Sequence, residues 1–388
     1  MFLSRIRVMC AVSAMIVVAA GARAEIQAEQ VGVEKLPPAT PYRLYLTDVA
    51  IPHIVDGKLL ILDGASLKVQ GIVATGMAGL ITLSPDRSEL YVATTYFPRL
   101  NRGERNDQVD IYDATTLRLK AEIPIPAKHA QALPYKGYVR ASEDGRFIFV
   151  QNATPATSVS VVDRAAGKFV AEIPTPGCWS IFTPKSIASS NRFSTLCGDG
   201  TMLTVTLDDK GNAVTRKKSD KFFDPDSDPL FIVGERSGDR YVFISFRGLV
   251  QTLDVGGEDV VIGGKWSMVT KELAKGGWRP GGYQPLTLHE KSGTIYVGMH
   301  KKGAEGSHKN PADEIWAFDL ASGKRMARAP GRGATTLAVS QGDEPRLFAF
   351  DGGKMMIRAY AAMPHKGKLK LLASGGPFGE TPTQMDVQ

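Results

Sequence analysis

The residues that could do chemistry are few and poorly grouped. Six histidines (His53, His129, His289, His300, His308 and His365) show no metal-ligand spacing along the chain. The stretch DPDSDPLFIVGE, residues 224–235, puts acids at the first, third, fifth and twelfth positions of a calcium-loop register. Pro229 occupies its sixth position, where such a loop needs glycine for the sharp turn. A turn capped by Asx hydrogen bonds is expected instead, with Asp228 extended ahead of Pro229. The chain carries no GxGxxG, phosphate loop, G-x-S-x-G elbow, H-E-x-x-H or C-x-x-C motif. The stretch GGWRPGGYQPLTLH, residues 276–289, raises another kind of chemistry, that of contact. Its glycines and prolines exclude a regular helix. Trp278, Arg279 and Tyr283 are residue types enriched at interface hot spots. Either they pack this loop down or the loop meets a partner.

The first 24 residues stand apart. Arg5 and Arg7 precede an apolar run, and Ala22-Arg23-Ala24 forms a small-x-small end. This reads as a secretory signal cleaved after Ala24, leaving residues 25–388 as a single domain. The run is too short to span a bilayer, and no later segment is long and apolar enough to do so. Removing Arg5, Arg7 and Arg23 takes the net charge from +7 to +4. The basic run TRKKSDK, residues 215–221, has no accompanying nucleic-acid motif and reads as a solvated hairpin end. Export leaves Cys178 and Cys197, and an oxidising compartment favours a disulfide between them, a free thiol pair being the alternative.

One pattern recurs along the chain. A polar turn leads into a short run of aromatic and aliphatic residues, as in SPDRSELYVAT (84–94), SEDGRFIFVQN (142–152) and HEKSGTIYVGM (289–299). The first strand residues of the copies are Leu44, Leu90, Phe147, Phe193, Tyr241, Ile295 and Leu347, spaced by 46 to 57 residues. After each copy an alternating strand ends in Asp before a second turn, except that the seventh has Ala361 there. Such aspartates can accept backbone N–H groups across a hairpin, so they are structural candidates. Short strands at this period indicate an all-β fold, a seven-bladed β-propeller of four-stranded antiparallel blades. The terminal PTQMDV (382–387) is a candidate strand for the blade begun near Leu44. Residues 267–275 hold the one plausible helix. A two-sheet sandwich is the alternative fold, and the regular hairpin Asp argues against it.

Particular words in the sequence carry a resemblance. YFPRLNRGERNDQVDIYDATTL (96–117), VQNATPATSVSVVD (150–163), GCWS with CGDG, GWRPGGYQ (277–284) and HKKGAEGSHKNPADEIWAFD (300–319) together resemble the heavy subunit of tryptophan tryptophylquinone amine dehydrogenases. The RGER and WRPGGYQ words are similar to methylamine dehydrogenase heavy chains. The QNATPATS, CGDG and EGSHKNPADEIW words look closer to the aromatic amine dehydrogenase branch.

That resemblance implies a periplasmic heterotetramer of two heavy and two light chains. The quinone would form from two tryptophans of the light chain, so Trp179, Trp266, Trp278 and Trp316 here are not its precursors. No catalytic residue, metal or cofactor is then expected in this chain. The complex would oxidise a primary amine to an aldehyde and ammonia, with aromatic amines favoured over methylamine. Electrons would pass to a small blue copper protein of the azurin or amicyanin type. Phe97 matches a residue that borders the substrate channel in related heavy chains. Trp278, Arg279 and Tyr283 are expected at the light-chain contact, with internal packing as the rival role for Trp278. The rival functions are a stand-alone periplasmic propeller that binds a ligand or protein, and a propeller lactonase with a metal in its channel.

Overall fold

In the computed structural model, residues 32–132, 134–364 and 366–388 are described. The expected leader, residues 1–24, and His365 lie outside the described residues. Lys35–Gln388 forms one compact unit.

The seven repeat copies are the second strands of seven blades: Arg43–Asp48, Glu89–Tyr96, Phe147–Asn152, Arg192–Cys197, Arg240–Ile244, Thr294–His300 and Arg346–Asp351. Each is buried along nearly its whole length because both of its faces meet a neighbouring sheet. Alternation decides which face each residue serves. Leu44 and Leu46 pack with Phe348 and Phe350 of the seventh blade. Tyr45, between them, packs with Leu90 and Val92 of the second. Burying each such side chain contributes about 1.5–3 kcal/mol.

Two long strands pass from one blade to the next. Lys68–Leu83 pairs with Gly57–Asp63 through its first half and with Glu89–Tyr96 through its second. Arg325–Val339 does the same between the sixth and seventh blades. With these strands shared, the antiparallel sheets divide into seven four-stranded blades. The ring closes as the sequence suggests. Pro382–Val387 pairs with Arg43–Asp48, with Leu46 opposite Met385, and so becomes the innermost strand of the first blade.

A buried carboxylate secures that closure. Asp48 is fully buried. It accepts N–H groups from Ala50 at 3.0 Å, Glu380 at 2.7 Å and Thr381 at 2.8 Å. The last two lie just ahead of the closing strand.

The repeated aspartates do hold turns. Asp63 accepts the N–H groups of Ala65 and Ser66, Asp113 those of Thr115 and Thr116, and Asp208 those of Lys210 and Asn212. Asp163, Asp254 and Asp319 each accept one from their own turns. The helix is shorter than its sequence window. Strand Val261–Ser267 takes up Ser267, so the helix is Lys271–Lys275, with Thr270 as its cap. Residues 215–218 of the basic run belong to the outer strand of the fourth blade, Ala213–Lys218, rather than to a hairpin end.

One ion cluster joins blades. Glu89, buried between the second and third blades, accepts a bidentate pair from Arg164 at 2.8 and 2.5 Å. Lys120 and the Tyr91 hydroxyl complete its shell. The Arg164 bonds, aided by Lys120, outweigh burial and hold its carboxyl at about 2, below an ordinary 4.5. A carboxylate so depressed stabilises the fold above its unfolded pKa, and that stability is lost as pH falls through the folded value. The shift corresponds to about 3 kcal/mol. Solvent reaching Lys120 and Arg164 screens the cluster, which leaves about 2 kcal/mol. Glu89→Gln is therefore expected to lower stability by about 2 kcal/mol at pH 7 and to flatten the loss between pH 4.5 and 2. Urea melts at several pH values check it, and parallel curves for the two proteins would refute it.

Candidate functional site

Antiparallel alternation sends two sets of loops to one face of the ring. These join second strands to third strands, and fourth strands to the next blade. Phe97, the 276–285 loop and the cysteine pair all belong to that face.

Phe97 is half-buried and follows directly on strand Glu89–Tyr96. Its loop, 97–105, is tied down from the far end. Arg105 donates to both oxygens of Asp107 at 2.7 and 2.6 Å and to the His129 carbonyl at 2.9 Å. Asp107 also accepts the His129 N–H at 2.7 Å and the Thr95 hydroxyl at 2.8 Å. The second arginine of the RGER word thus bolts the Phe97 loop to the link between the second and third blades. Gly103 in that word has φ +106°, and a Cβ there would come within 2.6 Å of the Pro98 ring. His129 is wholly buried, which pushes its imidazole down to about 4 and keeps it neutral at pH 7.

The 276–285 loop divides its aromatics. Trp278 is only 8% exposed and packs on Trp316, with ring centroids 4.9 Å apart. Arg279 and Pro280 pair with His300 and Met299, opening the inner edge of the sixth blade. The chain then turns through Gly282 at φ +134°, where a Cβ would sit 2.5 Å from the Thr335 carbonyl oxygen. Gln284 is fully buried and donates to the carbonyls of Leu337 at 2.8 Å and Met385 at 2.9 Å. It therefore ties the sixth blade to the inner strands of the seventh and first.

Tyr283 points to the opposite side of the ring. Its ring lies 6.2 Å from that of Tyr135, on the link between the second and third blades. Tyr135 meets Tyr138 at 6.3 Å, and Tyr138 meets Trp179 of the fourth blade at 5.8 Å. Four aromatics so form a row from the sixth blade to the fourth. Burial pushes the Tyr135 hydroxyl up to about 12 and raises that of Tyr138 as well. Both stay protonated at neutral pH. The segment that carries Tyr135 is tied to the Phe97 loop and its strand, since Arg105 donates to the His129 carbonyl and Gln131 to the Thr95 hydroxyl. Tyr135 and Tyr138 lie in irregular chain with no repeat signal, so only the structure brings them to the site.

A disulfide joins Cys178 to Cys197, directly opposite each other on the first and second strands of the fourth blade. By loop closure across 19 residues it stabilises the chain by about 3 kcal/mol. Cys178→Ser with Cys197→Ser is expected to lower the urea midpoint accordingly; an unchanged midpoint would refute the assignment. The 224–235 stretch forms Asx turns. Asp224 accepts from Ser227, and Asp228 accepts the Ser245 hydroxyl and the Arg247 N–H. Among the described residues, no three His, Cys, Asp or Glu side chains are grouped to hold a metal ion.

Three of the four tryptophans, Trp266, Trp278 and Trp316, belong to one apolar cluster. Trp278 and Trp316 form the one close pair, but they lie in a packed apolar cluster with Phe318, Met299 and Leu286. The Trp316 indole N–H is taken by Glu314 at 2.6 Å and that of Trp266 by the Leu320 carbonyl at 3.2 Å. A substrate has no approach to the paired rings.

Comparison with known proteins gives the family. The model of the methylamine dehydrogenase heavy chain family matches residues 41–382. The chain belongs to the methylamine dehydrogenase heavy chain family. Its relatives include the methylamine dehydrogenase heavy chain of Methylobacillus flagellatus, 26% identical over 333 residues, covering 85% of this chain and 81% of that one. The heavy chain of Paracoccus versutus is 27% identical over 342 residues, covering 87% and 78%. Among solved structures, the Myceliophteria thermophila Cps50 (Swd1) β-propeller domain superposes with a TM-score of 0.55 at 8% identity, covering 86% of this chain and 98% of that one. Kuenenia stuttgartiensis hydrazine synthase gives 0.53 at 14%, covering 88% and 99%. These two likenesses concern the fold alone. The curated relatives are methylamine dehydrogenase heavy chains, so the broader family stands and the aromatic branch is a finer matter.

Proposed function

We propose that this chain is the large subunit of a periplasmic, quinone-dependent amine dehydrogenase that prefers aromatic amines to methylamine. Family membership over residues 41–382 is the observation that carries the amine dehydrogenase part of this reading. The quinone belongs to a light chain in a two-plus-two assembly, and this chain's packed tryptophans agree with that division of labour. When bound beside this chain, the tryptophan tryptophylquinone supplies the electron sink for amine oxidation. A small blue copper protein takes the electrons onward. This chain contributes rigidity, exclusion of water and an apolar wall. Phe97 lines the entry for the amine side chain, and Arg279 and Tyr283 meet the light chain at the same face. The QNATPATS, CGDG and EGSHKNPADEIW words support the aromatic preference.

Purification of the protein from its host tests the assembly. A small, disulfide-rich, quinone-absorbing chain should accompany it in equal amount, and a colourless single chain would favour a stand-alone binding protein. Phe97→Ala in the purified complex is expected to raise KM for an arylalkylamine about fivefold, with kcat little changed, for loss of about 1 kcal/mol of ring contact. KM for methylamine should barely move. Equal changes for both amines would remove Phe97 from the channel.

A further inference from the structure

A cavity of about 420 Å³ lies on the ring axis, lined by the innermost strands of six blades and by Thr183 and Lys185 just past that of the fourth. Ser84, Glu143, Lys185 and Glu290, on first-to-second-strand loops, edge it, so it opens on the face opposite the candidate site. Its charges are unevenly matched. Lys136 reaches across the axis to Glu235 at 3.0 Å and Asp386 at 3.3 Å. Lys185 pairs with Glu290 at 2.9 Å, and Arg236 with Glu143 at 3.0 Å. Those three cations engage every carboxylate lining the cavity. Two lining guanidiniums, Arg87 and Arg140, are left without a carboxylate. Arg87 has one backbone acceptor, the Val387 carbonyl at 2.9 Å. Arg140 has no hydrogen-bond partner among the described residues, and its Nε is buried.

We infer that this axial cavity binds a compact oxyanion, held by Arg140 and Arg87. A guanidinium presents several N–H donors in a planar fork that matches carboxylate, sulfate or phosphate oxygens. An unmatched buried donor is destabilising, and an oxyanion both satisfies it and balances the spare charge. The cavity's volume falls within the range of small-ligand sites. Because the opening is on the far face, a light chain docked at the candidate site leaves it accessible. The inference does not depend on the amine dehydrogenase reading.

Titration of the purified protein, with any chain that accompanies it, tests this by calorimetry and by thermal melting. Inorganic phosphate and succinate are the two probes, against sodium chloride at matched ionic strength. One saturable site per large chain is expected, with a melting temperature that rises with probe concentration beyond the chloride control. Arg140→Gln should weaken binding at least tenfold and Arg87→Gln at least threefold. Arg102→Gln, on the opposite face, should leave it unchanged. Tighter phosphate binding would identify an inorganic oxyanion and tighter succinate binding a carboxylate; either supports the site. No saturation beyond chloride, or affinity unchanged in Arg140→Gln, overturns it. If Arg140→Gln does not fold, Arg87→Gln decides, and unchanged affinity there overturns the site equally.

Discussion

Asp48→Ala is expected to destabilise the chain by about 4 kcal/mol, because three charge-assisted bonds vanish and buried donors lose their acceptor. The Glu380 and Thr381 N–H groups would be released just where the last strand enters the ring. The damage should be local in its first appearance. Hydrogen exchange should accelerate in 382–387 and in Arg43–Asp48 before the other blades loosen. Asp48→Asn keeps one acceptor oxygen and should recover part of the loss. Uniform acceleration through all blades would show that Asp48 does not act on closure.

Trp278→Ala should cost about 3–5 kcal/mol, the usual range for emptying a buried Trp site. Trp278 packs on Trp316, and Arg328 and Lys301 lie over its ring at 5.7 and 5.2 Å. This variant separates the two roles left open by the sequence. A residue 8% exposed should act through stability, with light-chain affinity retained in whatever fraction folds. Tyr283→Ala is its counterpart. That ring is half-buried in the aromatic row, so its loss should weaken the light-chain contact by about 1–2 kcal/mol and spare the core. Native-state melts beside light-chain titrations give both numbers. A large affinity loss in Trp278→Ala with normal stability would reverse the assignment.

The blades could be read from the chain because their second strands are buried on both faces. Such strands require unbroken apolar runs, and Phe147–Asn152 or Thr294–His300 have nearly nothing else to signal. The turn aspartates were equally visible, since a short carboxylate is well suited to collect N–H groups across a hairpin. Innermost strands were harder to see. Glu235–Ser237 and Leu286–His289 are only three and four residues long, too short for alternation to stand out. The candidate site was legible only in part. Phe97 entered through resemblance, and the 276–289 stretch through its aromatics set among glycines and prolines. Tyr135 and Gln284 act through partners far away in sequence, and no local pattern announces such contacts. Gln284, for instance, bonds to Met385 at a separation of 101 residues.

The order of strands along the chain has a consequence for how the molecule is made. The first blade receives its innermost strand from residues 382–387, so Arg43–Asp48 must wait for more than three hundred residues to arrive. A chain emerging from a ribosome or threading through a translocon can stack its middle sheets but stays an open arc, with an unmatched strand edge at the first blade. Until the final segment is delivered, that edge is a target for chaperones and for mispairing with a second chain.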